Sequence, residues 1–118
     1  MTAAALILVV APDMDFRRSL EFALETDGFT VESHPQIEAA FASPRAGRAA
    51  CAVVDDSAVT DWKAMATAIR LFGKPLILLQ DRVRAIPDLP LTTALTMPFL
   101  GAPLTDAVRR AMAVPNHT

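Results

Sequence analysis

Short apolar runs alternate along the chain with longer stretches in which apolar residues recur at helical spacing. Three runs have no polar alternation, which is typical of parallel strands covered on both faces. Two further runs are shorter or more polar, as outer strands often are. The five predicted strands are Ala5–Ala11, Phe29–Ser33, Ala50–Asp55, Leu76–Leu79 and Leu91–Met97.

The stretches between these runs carry the start and stop signals of helices. Asp13 and Asp61 are good N-cap residues, Gly28 stands at a left-handed stop position, and Gly73 ends the third predicted helix. Proline can occupy the first turn of a helix, and this predicts helix starts at Pro35 and Pro103. The stretch 81–86 has room for only one or two turns, because Pro87 and Pro90 prevent a longer helix.

The resulting order is strand then helix, five times, with the fourth helix shortened. Strands that alternate with helices of this size predict right-handed crossovers and an α/β, doubly wound, five-stranded parallel sheet. We expect one domain over residues 1–118, with a loose tail at 114–118.

Composition excludes several classes of function. The 118 residues carry a net charge of −2, which provides no electrostatic footprint for nucleic acid or for an anionic membrane. The basic pairs Arg17-Arg18 and Arg109-Arg110 are interpreted as solvated helix faces. The single cysteine, Cys51, can form no internal disulfide, and two distant histidines complete no metal site. A reducing cytoplasm is the compartment that fits this usage.

Two carboxylates, Asp55 and Asp56, end the central apolar run. In an open parallel sheet, functional side chains lie just past the carboxyl ends of the strands. Asp55 is therefore where a working group is expected. The alternative is that both residues only mark the strand end and cap the turn that follows.

Both ends of the chain resemble a known family. The segment Leu8–Leu20 is similar to the opening of a response-regulator receiver domain, and Met97-Pro98-Phe99 with the helix after it is similar to its closing turn. Asp55 matches the phosphoacceptor aspartate of that CheY-like family. The resemblance implies a flavodoxin-like (βα)5 fold and a role in two-component signal transduction or a phosphorelay.

The resemblance also shows which parts of the family's site this chain lacks. The two acidic residues that help to hold a divalent metal fall on Ala11 and Pro12. The hydroxyl position falls on Gln80, the lysine position on Met97, and the aromatic switch on Ala94. Asp56 is no equivalent of the missing acidic pair. Phosphoryl transfer depends on positioning and charge neutralisation, so we expect weak or lost Mg²⁺ binding and no other cofactor.

These losses predict a degenerate receiver, or pseudo-receiver, that is not an enzyme. It would act as a phosphorylation-independent protein–protein interaction module in a signalling pathway, with no contact to nucleic acid or membrane. One alternative is a genuine phosphoacceptor that receives a phosphoryl group on Asp55 from a histidine kinase, with Asp56 helping to bind the metal. Another is a small-molecule sensor with a pocket lined by Ala11, Gln80 and Met97.

A shortened fourth helix would leave apolar side chains uncovered beside the fifth strand. Exposed apolar surface of any size commonly marks an interface. We therefore predict a partner surface, and a homodimer in isolation, at Leu89, Leu91 and Leu95.

Overall fold

A computed structural model describes residues 4–81, 89–96 and 102–113. It contains five strands, four α-helices and two short 3-10 turns within these ranges. The strands are β1 (Leu6–Val10), β2 (Thr30–His34), β3 (Cys51–Asp55), β4 (Leu76–Gln80) and β5 (Thr92–Thr96). The helices are α1 (Met14–Thr26), α2 (Ile37–Ala42), α3 (Trp62–Phe72) and α4 (Ala102–Ala113).

The strands form one parallel sheet in the order β2-β1-β3-β4-β5. The three central strands bury nearly every side chain, which explains why their sequences are unbroken apolar runs. The two outer strands are more exposed and more polar. The predicted doubly wound parallel sheet is therefore confirmed.

The helices cover the sheet from both sides. Alternate residues of the strands point to opposite faces, so Leu8 and Val54 meet α2 and α3, while Val9 and Val53 meet α1 and α4. Each helix contributes a narrow apolar stripe to its layer, as Leu20 and Leu24 do for α1. The core consequently consists of two apolar layers separated by the sheet.

Helix ends follow the chemistry predicted for them. The Asp13 carboxylate accepts a hydrogen bond from the Phe16 N–H at 2.8 Å and caps α1. Asp61 caps α3 by accepting from the N–H groups of Lys63 and Ala64. Gly73 ends α3 with φ +67°, a left-handed conformation that side chains other than glycine adopt at a cost.

Two boundaries differ from the sequence prediction. The second helix begins at Ile37, two residues after Pro35, and Gln36 is its N-cap. β5 begins at Thr92 because Leu91 has φ +56°, which interrupts extended backbone. The predicted short helix at 81–86 and the loose tail at 114–118 lie outside the described residues, apart from Asp81.

The predicted exposure beside β5 is wrong at Leu89. This side chain is only 8% exposed and packs in the layer that contains α2 and α3. Leu95 is half-buried against the opposite layer, which leaves Leu91, at 55% exposed, as the uncovered member of the three. Segments that are distant in sequence cover Leu89, and the local pattern of residues gives no sign of this.

Candidate functional site

Asp55 lies at the carboxyl end of β3, as predicted, and it is half-buried. One carboxylate oxygen accepts the Ser57 N–H at 3.3 Å, and the other accepts the Ser57 Oγ–H at 2.8 Å. This local turn makes Asp55 the N-cap of the 3-10 segment Asp56–Ala58. Both carboxylate oxygens therefore already have hydrogen-bond donors two residues away in sequence.

Ala11 and Pro12 follow β1 at the same edge of the sheet. Val10 pairs with Val54, so the end of β1 lies beside the end of β3. Neither residue has a side-chain oxygen, and their backbone carbonyls accept hydrogen bonds from Arg17 Nη1 at 2.8 and 3.4 Å. The Arg17 guanidinium group is thus hydrogen-bonded to the backbone at the two positions where the resemblance places acidic residues.

The sequence predicted that Arg17 lies on a solvated helix face, and its contact with the backbone after β1 was not foreseen. Arg17 lies in the first turn of α1, close to the end of β1, and its half-buried side chain reaches back to the Ala11 carbonyl. Arg109 is exposed, as predicted, and forms an ion pair with Asp27 at 2.5 Å. Arg18 beside Arg17 is exposed, as predicted.

Gln80 is the last residue of β4 and only 2% exposed. Its side-chain Nε2 has no hydrogen-bond partner among the residues that the structure describes. A buried amide donor without a partner costs free energy, because it has lost its bonds to water. Gln80 is therefore a buried polar group at this edge with an unsatisfied donor.

The remaining predicted site residues are only partly placed. Asp56 is buried, at 8% exposed, within the 3-10 turn after β3. Ala94 lies in β5 with its side chain exposed. Met97 lies outside the described residues.

These residues fit a magnesium ion poorly. Magnesium prefers six oxygen ligands in near-octahedral geometry and is commonly held by one or two carboxylates. At this edge the Asp55 carboxylate is bound by Ser57, and the carbonyls of Ala11 and Pro12 are bound by a cation. Among the described residues, no three His, Cys, Asp or Glu side chains cluster closely enough to hold a metal.

Two titrating groups near the sheet have perturbed pKa values with clear causes. Burial at the start of β3 raises the pKa of the Cys51 thiol to about 12, in keeping with its role as a small apolar residue. The pKa of Glu32 on β2 is lowered, first by its hydrogen bond with His34 and then by that with Ser43. Both groups lie within strands of the sheet, and neither belongs to the carboxyl edge that contains Asp55.

A second surface feature was not predicted. Between α1 and α4 runs a groove of about 780 Å³, here called the α1–α4 groove. Phe22 lies in it and is 72% exposed. The signal was present in the sequence, because Phe22 does not belong to the stripe of Leu20 and Leu24 that faces the core. The groove is lined by Arg18, Ser19, Phe22, Ala23, Thr26, Asp27, Ala102 and Thr105.

The strand order, the two helical layers and the aspartate at the end of β3 define a CheY-like receiver fold. The chemotaxis protein CheY4 of Vibrio cholerae has this fold, with a TM-score of 0.78 and 18% identity over 92% of this chain and 99% of that one. The receiver domain of the hybrid histidine kinase CckA is similar, with a TM-score of 0.75, 18% identity and the same shares covered. At such low identity these structures establish the fold alone.

Sequence comparison is more specific. The transcriptional regulator protein FixT of Rhizobium meliloti (strain 1021) is 39% identical over 103 residues, which are 86% of this chain and 88% of that protein. The chain belongs to the same family as FixT and has the fold of the response-regulator receiver domains. No family model matches the sequence.

Proposed function

We propose that this protein is a pseudo-receiver that regulates a two-component signalling pathway by binding a protein partner, without phosphorylation of Asp55. The observation that carries the proposal is the position of Arg17, whose side chain lies where a phosphoacceptor receiver would hold its metal ion with acidic residues. Its guanidinium group bonds to the carbonyls of Ala11 and Pro12, where a phosphoacceptor receiver would need carboxylates.

The electrostatics of phosphoryl transfer support this proposal. The transferred group needs positive charge around its oxygens, normally from a metal ion and a basic side chain. The sequence has methionine at position 97, where the family has lysine, and a glutamine amide at position 80 in place of a hydroxyl. Each lost electrostatic stabiliser typically lowers a rate by roughly a hundred- to a thousandfold.

The proposed activity is regulatory binding rather than catalysis. FixT is described as a transcriptional regulator, and we propose that this protein also influences transcription, through another protein of the pathway. A net charge of −2 argues against direct contact with DNA. A protein of this kind would work in the cytoplasm and needs no resident cofactor. No helix in the described ranges is long and apolar enough to cross a bilayer.

Intact-mass analysis after incubation with acetyl phosphate and magnesium tests the proposal. We expect no added phosphoryl group over a time that fully modifies a phosphoacceptor receiver domain in a parallel reaction. Beryllofluoride with magnesium should likewise leave the melting temperature unchanged. Prompt addition of one phosphoryl group that disappears in Asp55→Ala would contradict the proposal.

One observation favours the alternative of a genuine phosphoacceptor. Asp55 is half-buried at the carboxyl end of β3, which is the position that the family's chemistry uses. That function requires magnesium to bind near Asp55, whereas the pseudo-receiver does not. Calorimetric titration with magnesium, comparing the natural protein with Asp55→Asn, therefore separates the two. Heat that is lost in the variant would favour the phosphoacceptor.

A further inference from the structure

The outer side of α1 combines a large exposed apolar group with free charges of both signs. Phe22 is 72% exposed and lies in the α1–α4 groove. Arg18 and Glu25 are also exposed, and neither forms a side-chain hydrogen bond or ion pair with the rest of the described chain. An exposed aromatic group beside a groove is a frequent anchor of a protein interface.

The spacing of these three residues makes the surface self-complementary. Arg18 lies four residues before Phe22 and Glu25 three residues after it. At 1.5 Å per residue these separations are about 6 and 4.5 Å along the helix axis. Around the axis, both charged side chains are turned from Phe22 in the same direction, so that they lie along one line of the helix surface. A second α1 that runs antiparallel, related by a two-fold axis near Phe22, would place each Arg18 beside the Glu25 of the other copy.

Leu71 is another strongly exposed apolar side chain of the described chain, but the charges around it are not self-complementary. Leu71 on α3 is 83% exposed beside a cavity of about 300 Å³. The charges next to it, Arg70 and Lys74, are both positive. Two copies brought together there would place like charges face to face, which disfavours association.

We propose that a second copy of this chain binds the outer side of α1, as a two-fold symmetric dimer centred on Phe22. Each Phe22 ring would pack into the α1–α4 groove of the other copy, where Ala23 and Ala102 leave space for it. The aromatic groups supply most of the affinity, because exposed ion pairs contribute little. The two Arg18–Glu25 pairs set the antiparallel register.

This inference goes beyond the proposed function and does not depend on it. It also differs from the dimer surface predicted from the sequence beside β5. There Leu89 is buried and Leu95 half-buried, so that Leu91 alone is prominently exposed. The two surfaces lie on different elements and can be separated by substitution.

Sedimentation equilibrium of the purified protein and two matched variants tests the proposal. We expect dimers in the natural protein and in Leu91→Glu, and a monomer in Phe22→Glu. Both substitutions add one negative charge at an exposed apolar position, and circular dichroism would verify that each variant is folded. A natural protein that is monomeric up to concentrations on the order of 1 mM would overturn the proposal. Dissociation by Leu91→Glu but not by Phe22→Glu would also overturn it and would locate the dimer beside β5.

A charge-reversal experiment tests the register. Arg18→Glu and Glu25→Arg should each weaken the dimer by about tenfold or more, because symmetry places like charges together twice. The double variant Arg18→Glu/Glu25→Arg should restore the dimer to near its original affinity. Failure of the double variant to restore it would overturn the antiparallel arrangement.

Discussion

The edge of the sheet near Asp55 and the outer side of α1 differ in how their polar groups are satisfied. At the edge, Ser57 binds the Asp55 carboxylate and Arg17 binds the backbone carbonyls after β1. On the outer side of α1, Arg18 and Glu25 have no partners in the described chain, and Phe22 is exposed. The Asp55 carboxylate, which would be the nucleophile of a phosphoacceptor, is thus bound within its own turn, while the charged groups without partners in the described chain lie on a helix face.

This difference indicates where each region can act. A side chain already bound by its neighbours can bind a ligand only by giving up those bonds, which costs free energy. An exposed aromatic group with free charges nearby loses little on binding and gains burial. The contrast therefore favours regulation through surfaces over chemistry at Asp55.

The sharpest test of the contrast compares two adjacent arginines on α1. Arg17→Ala removes hydrogen bonds from a charged donor to two carbonyls, and we expect the free energy of unfolding to fall by about 1–3 kcal/mol. Arg18→Ala removes no side-chain hydrogen bond or ion pair within the described chain and should change the free energy of unfolding by less than about 0.5 kcal/mol. Urea unfolding at low protein concentration, where association contributes nothing, measures both. Equal losses would contradict the structural role of Arg17.

A second test concerns Gln80, the exception at this edge. Gln80→Leu replaces a buried amide, whose nitrogen has no hydrogen-bond partner in the described part of the chain, by an apolar group of similar size. We expect the free energy of unfolding to rise by about 1 kcal/mol. Gln36→Leu is the control at an exposed position and should have little effect on unfolding. If Gln80→Leu lowered stability instead, the amide would have a structural partner after all.

The smallest effect is expected at Asp55 itself. Asp55→Asn keeps an oxygen that can accept a hydrogen bond from Ser57, and asparagine caps a turn about as well as aspartate. The free energy of unfolding at neutral pH should change by less than about 0.5 kcal/mol. Thermal unfolding followed by circular dichroism checks this, with Asp61→Asn as a second cap to compare. A loss above about 1 kcal/mol would show that the negative charge itself is needed for stability.

Much of the fold could be predicted because its signals are local. Unbroken apolar runs identify the central strands, and capping residues such as Asp13, Asp61 and Gly73 identify where helices begin and end. Boundaries failed where a backbone conformation decided them. The left-handed conformation of Leu91, which shortens β5, has no sequence signature because leucine seldom adopts it.

The candidate site was predicted only in part. The position of Asp55 at a strand end follows from the pattern of residues and is confirmed. Its binding by Ser57 was left open as one of two interpretations, and the contact of Arg17 with Ala11 was not foreseen. A long flexible side chain can point to solvent or fold back, and residue type alone does not decide between these.

The sequence by itself determined the class of this protein, because the order and apolarity of its segments allow few sheets other than a doubly wound parallel one. It also determined that Asp55 stands at the carboxyl edge of the sheet, and that the two positions after the first strand carry alanine and proline instead of acidic residues. Tertiary structure alone decided that Leu89 is covered, that Arg17 binds the end of β1, and that Phe22 lies in the α1–α4 groove. The physical reason is that burial and long-range hydrogen bonds depend on which elements become neighbours, and only the packed chain establishes that.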